Sequence, residues 1–299
     1  MSSIRLLPDT PSRLLFTDLD GSLLDHHDYD WSPARPWLTR LKHLGIPVIP
    51  VTSKTRHELL PLRRALGLAE APFVAENGAL VGLPPAWCHA RLERDPDPDG
   101  LVIKSLGVDI GFIRQRLAIW RHRLDARFTP LSELPLDELV ACTGLSEPEA
   151  RLARRREGSE PLLWQGDEAG LEALRDGLAG DGLRLVRGGR FWHVTGACHK
   201  GEAVRWLVRR YTALRGHRPL TLALGDGPND IPMLEAVDQA VLIRGHHDRP
   251  VAPAQPALYR SRVAGPAGWA EGVAHWWGRD GHRGESALSN PAGQGEAMA

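Results

Sequence analysis

The sequence is short of several things. Only four of its 37 basic residues are lysine (Lys42, Lys54, Lys104 and Lys200), and the other 33 are arginine. Basic and acidic side chains balance at 37 each, so no net field favours nucleic acid or an anionic membrane, and a small molecule is the expected partner. No apolar stretch approaches the ~20 residues that span a bilayer, and residues 1–10 lack the basic-then-apolar pattern of a signal peptide. A cytoplasmic protein is therefore expected. Cysteine is limited to Cys88, Cys142 and Cys198, an odd and scattered set without metal-ligand spacing, which reads as reduced thiols.

What is present is concentrated in two acidic motifs. The apolar run Leu14-Leu15-Phe16 leads into Thr17-Asp18-Leu19-Asp20-Gly21-Ser22. Extended geometry with period 2 would put Asp18 and Asp20 on one side, able to share a cation and a phosphoryl group. D-x-D-G alone is a weak signal, since aspartate and glycine also end ordinary strands. A second apolar run, Leu220 to Leu224, ends in Gly225-Asp226-Gly227-Pro228-Asn229-Asp230. Two acidic loops at strand ends are the layout of an open α/β site, where ligands sit beyond the carboxyl edge of the sheet.

The pattern between the motifs sets the domain organisation. Strand-like Arg13–Asp18, Ile46–Val51 and Pro72–Ala75 alternate with helical stretches, one starting at Ser32-Pro33 and the next at Thr55, whose Glu58 has capping-box spacing. Pro61 predicts a kink or a late start in that second helix. This β-α-β-α-β rhythm implies a parallel sheet with right-handed crossovers. The rhythm then breaks into Pro-Asp-Gly loop material, helices around residues 110–124, 146–153 and 171–178, and a hairpin of Leu183–Val186 with Arg190–Val194 across Gly188-Gly189. The expected division is a core over residues 1–83, an α+β insert over 84–196, core again over 197–278, and a disordered tail over 279–299.

These residues suit phosphoryl chemistry. A carboxylate attacks phosphorus competently once a divalent cation neutralises the phosphate, and magnesium takes a few carboxylates plus water and substrate oxygen. Asp18, Asp20 and Asp226 fit as ligands, while Thr52 and Lys200 are candidates to hold the other phosphoryl oxygens. With lysine so scarce, Lys54 and Lys200 stand out as sites wanting a compact ammonium. Chance survival on a surface covers Lys42 and Lys104 equally well. The arginines Arg151, Arg154 and Arg155 read as a wet helix face, Cys198-His199 as structural, and His246-His247-Asp248 as a loop with weak metal-ligand potential.

In this order and spacing the chain resembles the haloacid dehalogenase superfamily of phosphohydrolases. Asp18-Leu19-Asp20-Gly21-Ser22, Thr52, Lys200 within His199-Lys200-Gly201-Glu202-Ala203, and Gly225 to Asp230 stand at the four motif positions. The resemblance implies a Rossmann-like, doubly wound parallel-sheet core with the larger inserted α+β cap, and Mg2+ as cofactor. Asp18 would be the nucleophile, Asp20 the acid and base, and Asp230 an outer residue able to pair with Lys200. Within that superfamily the chain is most similar to the mannosyl-3-phosphoglycerate phosphatase family. The residues carrying that similarity are Thr52-Ser53-Lys54-Thr55, Glu76-Asn77-Gly78, Thr143 to Ser146, Arg156-Glu157, Glu160 to Trp164, and Gly188 to His193. It implies hydrolysis of mannosyl-3-phosphoglycerate to the compatible solute mannosylglycerate, with Ser53, Lys54, Glu76, Asn77, Arg156 and Asn229 binding substrate. A glucosyl-3-phosphoglycerate or other sugar-phosphate phosphatase, a phosphomutase, and a non-catalytic sugar-phosphate-binding regulator are the rival readings. The nucleophile position of Asp18 speaks against the last, since binding alone needs none.

Overall fold

A computed structural model describes residues 12–89, 93, 95–187, 191–245 and 251–278. The Gly188-Gly189 turn, Arg190, the His246-His247-Asp248 loop and the 279–299 tail lie outside the described residues. In chain order the first lobe is β1 (Arg13–Thr17), α1 (Arg35–His43), β2 (Val48–Pro50), α2 (Arg56–Ala65), β3 (Phe73–Ala75), β4 (Leu80–Leu83) and β5 (Val102–Ser105). Then come α3 (Ile110–Leu124), β6 (Phe128–Pro130), α4 (Leu136–Thr143), α5 (Glu147–Ala153), β7 (Ser159–Trp164), α6 (Glu168–Gly180), β8 (Arg184–Arg187) and β9 (Trp192–Thr195). The chain closes with α7 (Lys200–Arg215), β10 (Leu220–Gly225), α8 (Ile231–Leu234), β11 (Gln239–Arg244), β12 (Leu258–Ala264) and α9 (Gly265–Trp277).

The main sheet is parallel in the order β12-β11-β10-β1-β2. A parallel bridge from Val51 to Val74 carries it on to β3, which pairs antiparallel with β4 and through it with β5. Strand β1 shows why the fold is doubly wound. Its Leu15 faces a cluster with α1 and α9, through Leu38, Leu41, Trp269 and Val273, while Leu14 and Phe16 face Ala203, Val204 and Leu207 of α7. Each side of an extended strand is thus apolar, as a strand covered on both faces requires. The expected α/β core with an inserted α+β cap is the fold observed. Beyond residue 83, where the expected first core segment ends, Trp87, Leu101 and Ile103 still pack in the two clusters of the main sheet. Their apolar positions pair β5 with β4, which a reading of proline and glycine density did not reveal.

The cap is a four-stranded antiparallel sheet in the order β6-β7-β9-β8. Helices α3 and α6 cover one face through Ile113, Leu117, Leu171, Leu174 and Leu178 against Leu162, Leu185 and Val194. The pair α4 and α5 makes a second small cluster with Leu163 and Phe191. Both predicted capping boxes form, at Thr55/Glu58 and Ser146/Glu149. The helix α2 starts at Arg56 and carries Pro61 in its interior. Helix α4, without a polar N-cap to announce it, was not visible in the sequence pattern. No helix among the described residues is long and apolar enough to cross a membrane.

Candidate active site

The ends of β1, β2 and β10 and the start of α7 converge on one buried charge cluster. Strand β1 stops at Thr17, and the next residue, Asp18, is only 7% exposed. Lys200 opens α7 and is buried; its Nζ donates to Asp18 Oδ1 and to Asp230 Oδ1, each at 2.6 Å. Lysine at a helix N-terminus opposes the macrodipole, so the two carboxylates supply the compensation. Asp230 is held by its second oxygen as well, which accepts from the backbone N–H of Asp226 at 3.1 Å and of Gly227 at 2.9 Å. Asp226 accepts from Ser22 Oγ at 3.0 Å. Gly21, with φ +79°, is required here: a Cβ on it would lie 2.8 Å from Asp226 Oδ2.

Asp18, Asp226 and Asp230 each offer an oxygen within 4.8 Å of the others. Three buried carboxylates against one buried ammonium leave an excess of negative charge in a poorly solvated place. Burial, then the Asp230 carboxylate, pushes the Asp18 carboxyl well above its ordinary range, and the Lys200 ammonium only partly offsets them. Burial raises Asp230 too, with Asp226 adding to the shift and Lys200 opposing it. For Lys200 burial disfavours the charge, yet Asp18 and Asp230 outweigh it and the ammonium is held above its usual value. A divalent cation is the species that relieves such a cluster, and an all-oxygen donor set suits magnesium. Asp230 has both oxygens engaged, one by Lys200 and the other by two backbone N–H groups.

Asp20 lies outside that carboxylate group, contrary to its expected place among the ligands. Its carboxylate meets Lys54 Nζ at 3.0 Å. The strand ends at Thr17 and the chain turns at Gly21, so the two-residue period does not carry through Asp20. Lys54 itself lies over the Tyr29 ring, 4.9 Å from its centroid, and Asp20 and Glu58 raise its ammonium above the usual value although burial works the other way. Thr52 is fully buried at the end of β2, where its Oγ1 accepts from the Lys54 N–H at 3.1 Å.

The other expected binding residues divide. Asn77 and Asn229 face one another, with Asn229 Nδ2 donating to Asn77 Oδ1 at 3.3 Å. Glu76 does not offer its carboxylate to a ligand: it accepts from the N–H of Glu157 at 2.9 Å, the N–H of Gly158 at 3.1 Å and Ser159 Oγ at 2.7 Å. It is a fully buried tie between core and cap, in a run where Glu76, Asn77 and Gly78 all have positive φ. Non-glycine residues hold such angles only where the surroundings over-determine them. Around it the cap leans on the core through Arg56 to Glu157 at 2.5 Å, Thr55 Oγ1 to the Leu152 carbonyl at 3.1 Å, and Arg156 to the Ser53 carbonyl at 3.2 Å. This clasp, like the Ser22 support of Asp226, was not read from sequence, because it joins residues some hundred or two hundred positions apart. Cys198 is buried with its thiol pushed up to about 11, by burial first and Glu202 second, a setting for an inert thiol.

Fold and site together define a capped α/β enzyme of the phosphatase type, built around an aspartate cluster. Residues 15–87 match the family described as haloacid dehalogenase-like hydrolase. Among solved structures the chain is similar to a haloalkanoate-superfamily phosphatase of Bacteroides thetaiotaomicron, at 18% identity and TM-score 0.63, covering 91% of this chain and 98% of that one. It is similar also to a subclass IIB sugar phosphatase, at 16% identity and TM-score 0.60, with 90% and 99% covered. A sucrose-phosphatase of Synechocystis, solved with sucrose and phosphate, matches at 17% identity and TM-score 0.57, with 89% and 98% covered. At these identities the likeness establishes the fold. The chain thus has a parallel-sheet core with a large inserted cap, and its residues 15–87 match a haloacid dehalogenase-like hydrolase.

Proposed function

We propose that the protein is a magnesium-dependent phosphomonoesterase whose substrate is mannosyl-3-phosphoglycerate. The observation that carries the chemistry is the Lys200 bridge between Asp18 and Asp230 beside Asp226. Asp18 and Asp226 would hold the cation, which supplies charge neutralisation for the attack of an anion on a phosphate dianion. The Asp18 carboxylate attacks phosphorus while Lys200 and the Thr52 hydroxyl hold phosphoryl oxygens. Asp20, paired with Lys54, gives its proton to the departing alcohol oxygen. It then takes a proton from the water that attacks the phospho-aspartate, which releases inorganic phosphate and restores Asp18. Asp230 keeps Lys200 pointed at Asp18 through its two backbone bonds.

Substrate choice belongs to the cap. Arg156 Nη1 donates to the Ser53 carbonyl, one residue from Thr52, and to Ser159 Oγ at 2.9 Å, so its guanidinium stands next to the phosphoryl loop. A phosphoglycerate ester carries a carboxylate besides its phosphate, and arginine is the residue suited to it. Phosphate release with Mg2+ from mannosyl-3-phosphoglycerate, glucosyl-3-phosphoglycerate, glucose 6-phosphate and p-nitrophenyl phosphate tests the reading. The mannosyl ester should have the highest kcat/KM; a preference for glucose 6-phosphate would move the substrate class, and no turnover of any ester would end the phosphatase reading.

A further inference from the structure

Helices α3 and α6 cover one face of the cap sheet, the α4 and α5 pair packs on part of the other through Leu163, and the residues of β9 alternate across the sheet. Val194 and Trp192 belong to the helix-covered cluster, so His193 between them stands on the opposite face. In register it lies beside Pro161 of β7 on one side and Val186 of β8 on the other. Val186 is 41% exposed, so this face is open at its β8 edge.

His193 Nδ1 is buried without a hydrogen-bond partner, and so is Arg156 Nε. The two side chains are close enough that the guanidinium charge acts on the imidazole, which burial and Arg156 together push down to about 3. The ring is therefore neutral throughout the working range, with one nitrogen able to donate and the other to accept. A buried polar atom left unpaired is costly, so each of the two calls for a partner. Arg156 also reaches the Ser53 carbonyl and Ser159 Oγ, which puts its guanidinium between the cap sheet and the phosphoryl loop.

We infer that His193 is a specificity-determining residue that, alongside Arg156, receives a hydroxyl of the substrate's organic group. This deepens the substrate reading above and rests on it for the carboxylate at Arg156. The chemical logic is a division of labour. A guanidinium suits the anion, whereas a neutral imidazole suits a hydroxyl, which can serve either nitrogen as donor or acceptor. A site made to bond a hydroxyl discriminates against esters lacking one, because its polar atoms then stay unpaired.

The test compares His193→Leu, which removes both nitrogens, with His193→Asn, whose side-chain amide stands near the Nδ1 position. Steady-state kinetics would be measured with Mg2+ on mannosyl-3-phosphoglycerate, glucose 6-phosphate and p-nitrophenyl phosphate, with thermal melts of each variant alongside. The ratio of kcat/KM for the better hydroxyl-bearing ester over the aryl ester should fall about fivefold to tenfold in His193→Leu, mostly through KM, and recover in His193→Asn. An unchanged ratio in His193→Leu, or equal loss in both variants, would overturn the inference. If His193→Leu does not fold, the readout passes to His193→Phe, which likewise lacks a polar atom there, and an unchanged ratio in that variant would overturn the inference equally. Should the wild type prefer glucose 6-phosphate to the glyceryl ester, the substrate proposal fails while the His193 contrast is still read against the aryl ester.

Discussion

Lys200→Met removes the one ammonium from a buried group of three carboxylates, and its consequences can be worked from the geometry. The lysine side chain has no solvent exposure and makes two charge-assisted hydrogen bonds of 2.6 Å. Breaking a buried ion pair by deleting one partner costs about 3–5 kcal/mol, because the remaining charge stays unpaired. At about 2 °C per kcal/mol for a chain of this size, the melting midpoint in EDTA should drop by about 6–10 °C. Because Asp18 and Asp230 already have raised carboxyls, the variant can take up protons, so its deficit should be smaller at pH 5 than at pH 8. Adding Asp230→Asn to Lys200→Met removes one of the repelling charges and should return part of the lost stability. The assay is a thermal melt by circular dichroism, in EDTA and in millimolar Mg2+, at both pH values. A Lys200→Met protein that melts like the wild type in EDTA, or a double variant less stable than the single one, would refute the buried-cluster argument.

Asp18→Asn keeps the side-chain shape and should leave folding intact while turnover falls at least about a thousandfold, measured as phosphate release. Activity should vanish on confirmed removal of metal and return with Mg2+. The metal-free protein should also have a pH-dependent stability of definite sign. A carboxyl whose folded pKa lies above its unfolded value of about 4 contributes stability below that value and loses it as pH rises through the folded pKa. Melts in EDTA should therefore decline as pH rises from about 4, and Mg2+ should flatten that slope; parallel curves with and without metal would disprove it. Arg156→Ala should lower the kcat/KM ratio of phosphoglycerate ester over aryl phosphate at least tenfold, on the scale of a truncated charge pair of about 2–5 kcal/mol. An unaltered ratio would make Arg156 purely a prop for the Ser53 loop.

The chemistry was legible in the chain because it is written in short, local segments. An apolar run covered on both faces must be a central strand, and a carboxylate straight after it must stand at the sheet's carboxyl edge; Asp18 and Asp226 follow from that alone. Capping boxes announced α2 and α5, and leucine spacing announced α6. The choice of partners was a different matter, since it depends on side chains brought together from separate elements. Asp20 looks like a ligand in sequence, yet the chain turns after Asp18 and sends Asp20 to Lys54. Asp230 instead closes on Lys200 and two backbone N–H groups. Glu76 reads as a polar loop residue facing a ligand, but tertiary packing buries it against the N–H groups of Glu157 and Gly158. Likewise Trp87 sits on the core beside the pairing of β5 with β4, which joins Leu83 to Val102. Local pattern determines which elements form and which residue types stand at their ends. Which charges meet, and with what remaining capacity to bind, is decided only when burial forces every carboxylate and amide to find a partner.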